Sequence, residues 1–232
     1  RHRIFIDEVI RVIHEVKPDY VVVLGDTLHN HNRVEIYAFT QAVSFLTRLA
    51  NLVPTYLLIG NHDRPNNSDF LSGYHFFQGM EQVTGLTIVD RGLTVEWGGI
   101  PFMLVPYVPV GRFADAITQI MTTKLDGIQC CSATNHTLTD YAAIFAHQQL
   151  NDVIKFEPGD PWPDDAPLII SGHIHEYQEL STNIIYTGSA LQIDYDESPD
   201  KALCLFNFQG KQFNYERIPL AVPAKIQLKC SA

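Results

Sequence analysis

Four short polar clusters hold the residues of this sequence best suited to chemistry: Gly25-Asp26-Thr27-Leu28-His29, Gly60-Asn61-His62-Asp63, His147-Gln148 and Gly172-His173-Ile174-His175. Asp26, Asn61, His147, His173 and His175 make an N/O donor set of the kind that suits Mn, Fe, Zn and similar divalent metals. A carboxylate such as Asp26 can bridge two cations, and Asn61 offers a neutral amide oxygen. His62 adjoins a candidate ligand without needing to be one, which leaves it for acid–base work or phosphate contact. The glycines before Asp26, Asn61 and His173 let the chain turn sharply and approach an ion closely. In an extended segment residues i and i+2 face one side, so His173 and His175 can both face a metal pair while Ile174 points into the core.

Each cluster follows an apolar run. Tyr20–Leu24, Thr55–Ile59, Ala142–Ala146 and Leu168–Ile170 are short and apolar, as expected of strands buried on both faces. Ligands of α/β sheets bind outside the carboxyl ends of such strands. The runs at Leu86–Val89 and Phe102–Val105 predict further strands. Helical spacing of apolar residues appears in Arg1–Val16, Val34–Ala50 and Arg112–Leu125. The first helix should end at Lys17-Pro18, because a residue before proline disfavours helical dihedrals. After Gly188 the pattern changes. Ala202–Phe208 and Gln212–Ile218 can form a hairpin around Gln209-Gly210. The alternation predicts one α/β domain with an antiparallel addition at its end.

Length and composition bound the rest. The chain has 232 residues, 46% hydrophobic and 18% charged, which suits one globular domain with a sizeable core. No apolar run approaches the roughly 20 residues needed to span a bilayer. Net charge is −10, which excludes bulk electrostatic binding of nucleic acid while leaving local phosphate sites open. Cys130, Cys131, Cys204 and Cys230 form neither a CxxC pair nor a disulfide framework. They read as reduced, buried or incidental thiols of a cytoplasmic chain (or of one in a nucleus or a viral replication site).

Taken singly, each motif has a plainer meaning. An Asp after Gly commonly marks a turn or a helix cap, and a lone histidine is commonly a surface or satisfied core residue. His2, His14, His31, His75 and His136 are given that reading. The joint order GD, GNHD, H, GHxH, each after an apolar run, is a far stronger signal.

That order resembles the calcineurin-like metallophosphoesterase superfamily, whose pattern runs D-x-H, G-D, G-N-H-D/E, H, G-H-x-H; all but the first are present in sequence. The closer likeness is to SbcD-type DNA-repair nucleases. Their second motif is similar to Gly25-Asp26-Thr27-Leu28-His29, their fourth to His147-Gln148, and the turn after their fifth to Ile184–Ser189. The resemblance implies an α/β fold, a four-layer α/β/β/α sandwich with two central mixed sheets. It implies two divalent ions, Mn2+ foremost, with Mg2+, Fe2+ or Zn2+ as alternatives. Asp26 would bridge them, Asn61, His147 and His173 would complete one site, and His175 would belong to the other. His62 and His29 would orient the scissile phosphate and assist the leaving group. Arg33 and Arg64 follow two motifs and are candidates for DNA-backbone contact. The implied partners are DNA, an SMC-like ATPase subunit and a second copy of the chain, with no membrane. Phe39, Val43, Phe70 and Phe76 are candidates for a dimer patch, with core packing the plainer reading of each.

The D-x-H motif lies on the family's first strand, ahead of its first helix, whereas this chain opens in that helix. The expectation is a core over residues 1–220 that lacks its first strand, a tail over 221–232, no capping domain, and weakened or absent activity in this fragment. Two other functions compete with a nuclease: another phosphatase or phosphodiesterase of the same chemistry, and a non-catalytic scaffold on the same fold. Retention of six site residues argues against the scaffold. A Ser-His-Asp hydrolase is disfavoured because no nucleophile-elbow pattern surrounds any serine.

Overall fold

The computed structural model describes residues 1–29, 33–122, 136–151, 153–154 and 157–226. His31, Cys130, Cys131 and Cys230 lie outside them, and Cys204 is a free thiol. Helix α1 (His2–Val16) buries Ile6, Val9, Ile10, Val12 and Ile13, the face that the spacing predicts. It stops where Lys17, forced off helical dihedrals by Pro18, turns left-handed at φ 51. Strand β1 (Val21–Val23) follows, then α2 (Ile36–Leu52), β2 (Thr55–Leu58) and β3 (Leu86–Val89). These three strands pair in parallel in the order β1-β2-β3.

A second, mixed sheet of six strands runs β4 (Leu93–Trp97), β5 (Ile100–Val105), β6 (Ala143–Ala146), β7 (Leu168–Ser171), β9 (Ile184–Tyr186) and β8 (Gln178–Ser181). Its middle pairs are parallel and its two edge pairs antiparallel. Helix α3 (Phe113–Thr122) covers its outer face. Strands β10 (Ala202–Gln209) and β11 (Gln212–Pro219) form the expected hairpin, in register from Ala202–Pro219 to Gln209–Gln212. Strands β4 and β8 carry no signal as strong as the buried runs, because both sit at edges where polar residues are tolerated.

Side-chain alternation assigns the layers. In and just after β2, Leu57 and Ile59 pack under Leu46 and Ala50 of α2, while Leu58 and Tyr56 turn toward Phe102, Phe145 and Ile170 of the larger sheet. Phe206 and Phe208 of the hairpin join that same inner layer. Leu203, Ile218 and Leu220 meet α1. On the far side Ile144 and Ile169 pack against Phe113, Ile117 and Ile120 of α3. The order is helices, sheet, sheet, helix, as expected of the four-layer sandwich. Each wholly buried leucine contributes about 1.5–3 kcal/mol, so Leu46, Leu57 and Leu104 at 0% exposure make this a stiff support. One expected feature differs: among the described residues, the smaller central sheet is present as two separate pieces, β1-β2-β3 and β10-β11. Strands β1 and β10 both line one largely apolar cleft of about 1360 Å³. Phe39 and Val43 of α2, together with Phe76, pack partly buried against the cluster of Leu46, Leu57 and Phe77, and Phe70 packs against the cluster under α3, which is compatible with core packing for all four.

Candidate metal centre

Parallel pairing brings the carboxyl ends of β1 and β2, and of β6 and β7, to one side of the molecule. The two sheets are tied there by the Tyr107 N–H donating to the Ile59 carbonyl at 2.9 Å. The polar clusters therefore leave the sheets together. His147 donates from Nδ1 to the Leu24 carbonyl, 2.5 Å away. This turns Nε2 into the gap between the sheets, 3.2 Å from Asp26 Oδ2 and 3.1 Å from Asn61 Oδ1. His173 Nδ1 lies 3.0 Å from Asn61 Oδ1 and 3.3 Å from His147 Nε2. Donors that each sit about 2.1 Å from one ion are themselves about 3.0–3.4 Å apart, so this N2O2 set fits a divalent cation. The donor atoms of Asp26, His147 and His173 all fall within 4.8 Å of one another.

The local backbone is shaped around this convergence. Asp26 and His173 have left-handed φ values of 51 and 73, a conformation that costs of order 1–3 kcal/mol and persists only where surroundings enforce it. The His173–His175 segment is thus a turn and not the extended stretch expected from its spacing. Ile174 still packs into the core beside α3. A side chain on Gly60 would lie 2.2 Å from Asp26 Oδ1, so this glycine is set by the close approach of two loops and not by an ion. Gly25, at φ 88, serves both purposes, since a Cβ there would meet His147 Nδ1 at 2.4 Å.

Charge in the cluster is unevenly held. Burial works to raise the Asp26 carboxyl, but His147 and the His62 N–H, 2.8 Å from Oδ1, hold it far below the carboxylate range. Burial pushes His147 down, yet the Asp26 carboxylate draws it above its ordinary value. His173 is lowered to about 4 by burial and by the neighbouring His147. It is neutral at physiological pH, the state in which an imidazole can coordinate.

Sequence reasoning gave Asp63 no role. It is fully buried, accepting the Leu28 N–H at Oδ1 and the Gly60 N–H at Oδ2, both at 3.0 Å. It joins the Asp26 loop to the Asn61 loop. Burial and the nearby Asp26 push it up to about 7, against those two hydrogen bonds. Its place in GNHD was visible, but its partners were not. Gln148 likewise holds a loop, donating to Asp160 Oδ2 at 2.7 Å.

His62 sits at the mouth of the site, with Nε2 4.0 Å from Asp26 Oδ2. His29 is exposed and its ring stacks on His62, with centroids 5.7 Å apart and planes 3° from parallel. Arg33 is exposed on the same cleft, which also holds Asp26, His147, His173 and His175. Arg64 corrects the expectation of a phosphate contact. It is 0% exposed and donates to the carbonyls of Asp69 at 3.0 Å and Asp90 at 3.4 Å. A long side chain directly after a buried motif folded inward, where backbone carbonyls had to be satisfied.

His175 stands apart from the four-donor group. Its Nδ1 donates to Glu197 Oε1 at 2.8 Å, and Glu197 in turn accepts from Lys201 Nζ at 2.9 Å. Neither Glu197 nor Lys201 carried a sequence signal, because they lie in the polar Asp194–Lys201 loop, which resembles any solvated turn. Against the cost of burial, Lys201, the Ile193 N–H and His175 lower Glu197 to about 2.

A layered α/β scaffold with an Asp, Asn and His cage at its strand ends is the arrangement of metal-dependent phosphoesterases. The calcineurin-like phosphoesterase profile matches residues 3–177, and the chain belongs to that family. It is 35% identical over 230 residues to "Putative phosphoesterase 078R" of Invertebrate iridescent virus 3, covering 97% of this chain and 62% of that protein. It is 36% identical over 198 residues to "Putative phosphoesterase 244L" of Invertebrate iridescent virus 6, covering 84% of this chain and 66% of that protein. The chain thus spans just under two thirds of the length of these relatives. Among the described residues no helix is long and apolar enough to cross a membrane.

Proposed function

We propose that the chain is the core of a metal-dependent phosphodiesterase that acts on DNA, of the SbcD nuclease type. The observation carrying this reading is the convergence of Asp26, Asn61, His147 and His173 on one point beside the stacked His62 and His29. Asp26, Asn61, His147 and His173 would hold one divalent ion, Mn2+ foremost, and Asp26 with His175 would contribute to a second. Such ions, when bound, neutralise phosphate oxygens and lower the pKa of a coordinated water.

The remaining work falls to the chain. Asp26, anchored by the His62 N–H, would serve both ions. His147 keeps its tautomer through the Leu24 carbonyl, so Nε2 stays the coordinating atom. His62 holds a proton on its ring for the departing oxygen, and His29, stacked against it, restrains its orientation. Arg33, exposed on the same cleft, would be the side chain to meet a backbone phosphate. A net charge of −10 gives the chain little general attraction for DNA, which supports a second copy or an ATPase partner helping to hold it.

The test compares three substrates with Mn2+: a linear DNA duplex, bis-p-nitrophenyl phosphate and p-nitrophenyl phosphate. We expect slow cleavage of the duplex and the diester, weakened without a D-x-H motif, and both lost in Asp26→Asn. Hydrolysis of the monoester alone would assign the chain to the phosphatases. Bound Mn2+ with no hydrolysis of any of the three would assign it to the non-catalytic scaffolds.

A further inference from the structure

His175, Asp194 and Glu197 bring three donor atoms within 4.8 Å of one another, as close as the group around His147. Their bonding differs. Glu197 Oε1 accepts from His175 Nδ1 at 2.8 Å and from the Asp194 N–H at 3.2 Å. Oε2 accepts from the Ile193 N–H and Lys201 Nζ, both at 2.9 Å, and from Ser189 Oγ at 3.3 Å. A carboxylate has about four lone-pair sites, and here they are taken. The Lys201 and Glu197 side chains are 3% and 8% exposed, so this is a buried ion pair with no solvent standing in for a lost partner.

The same network grips the main chain of His175. Its carbonyl accepts from the Ser189 N–H at 2.9 Å and from Lys201 Nζ at 3.3 Å. Lys201 also donates to Ser189 Oγ at 2.8 Å. Both the backbone and the ring of His175 are therefore held from one side.

We propose that Glu197, backed by Lys201, is a positioning residue that fixes His175 as its Nδ1–H tautomer and presents Nε2 to the cleft. An accepting carboxylate at Nδ1 leaves the lone pair on Nε2. A carboxylate behind a coordinating imidazole also raises its basicity, and losing such a partner costs 10- to 100-fold in metal affinity or activity. Glu197 is on this account not a ligand itself. The inference rests on the metal-centre reading only in making His175 a ligand.

The test uses the full chain with 15N-labelled histidine, free of metal. Two-bond 1H–15N spectra report which ring nitrogen of His175 carries the proton, and the signal is identified by its loss in His175→Gln. Wild type should show Nδ1–H. In Glu197→Gln the amide cannot serve both the lysine and the ring as a charged acceptor, and the ring should shift toward Nε2–H. Calorimetry with Mn2+ should show about a tenfold to hundredfold weakening of the step that His175→Gln abolishes. If the lone charge on Lys201 unfolds the single variant, Glu197→Gln with Lys201→Met removes both charges and is read the same way. An unchanged tautomer with Mn2+ affinity within about twofold of wild type would overturn the proposal. If wild type binds no Mn2+, the metal-centre reading fails, while the tautomer of the metal-free ring still decides the role of Glu197.

Discussion

Two groups of acid and histidine in this molecule are equally compact and chemically opposite. Around His147, two of the groups facing the gap are fixed from outside it: His147 Nδ1 on the Leu24 carbonyl, and Asp26 by the His62 N–H at Oδ1. The inward atoms are left facing one another. Around Glu197, five donors converge on two oxygens and a buried ammonium sits among them. Closeness of ligand atoms is therefore a poor criterion for a metal site. What separates a cage from a clamp is whether the lone pairs are already taken.

The contrast can be broken most directly at Asp26. Asp26→Asn removes the charge proposed to serve both ions while keeping a residue that tolerates left-handed dihedrals. Mn2+ affinity by calorimetry should fall more than about a hundredfold, beyond the range of outer-sphere substitutions. A loss of less than about tenfold would return Asp26 to the ordinary role of a turn residue. His62→Ala should keep its Mn2+ and yet cleave diester at least about a hundredfold more slowly, as expected when proton assistance is lost. Loss of metal in parallel with activity would move His62 into the ligand shell.

Acid should separate the two groups without any substitution. His147 is raised above its ordinary value, so the imidazolium must give up its proton before Nε2 can coordinate. Mn2+ affinity should fall about tenfold per pH unit on the acid side of that raised pKa, with one proton released per ion. His173, at about 4, adds no further proton dependence above pH 5. Glu197, at about 2, stays ionised throughout, so the acceptor facing His175 Nδ1 keeps its charge over the same interval. Calorimetry in buffers of different ionisation enthalpy measures the proton count, and a count of zero would contradict the His147–Asp26 pairing. The smallest effect is expected at Asp63. Asp63→Asn places an amide N–H against one of two backbone N–H groups and should cost about 1–3 kcal/mol in denaturant unfolding. Mn2+ affinity should also drop, because the Asp26 and Asn61 loops lose their shared tether.

Much of the cage was legible in the residues. Asp26, Asn61, His147 and His173 were named from motif order, and the strands ahead of them from apolar runs that can only be buried. The spacing argument for His173 and His175 failed in its geometry, since φ 73 at His173 replaces an extended strand by a turn. Arg64 was misread because a charged residue in a polar motif gives no sign of burial until the carbonyls around it are known. Glu197 and Lys201 were missed because their own loop looks like a solvated turn while His175 and Ser189, which they hold, lie elsewhere, and Asp63 because GNHD does not show that its carboxylate ties Leu28 to Gly60.

The sequence by itself determined which residues are chemically able to bind a cation and which segments must be strands and helices. Both follow from side-chain type and from the period of burial, which are local properties. The tertiary structure alone decided which lone pairs remain available, because a hydrogen bond between His175 and Glu197, or between Leu28 and Asp63, depends on where separate loops meet once the two sheets have packed.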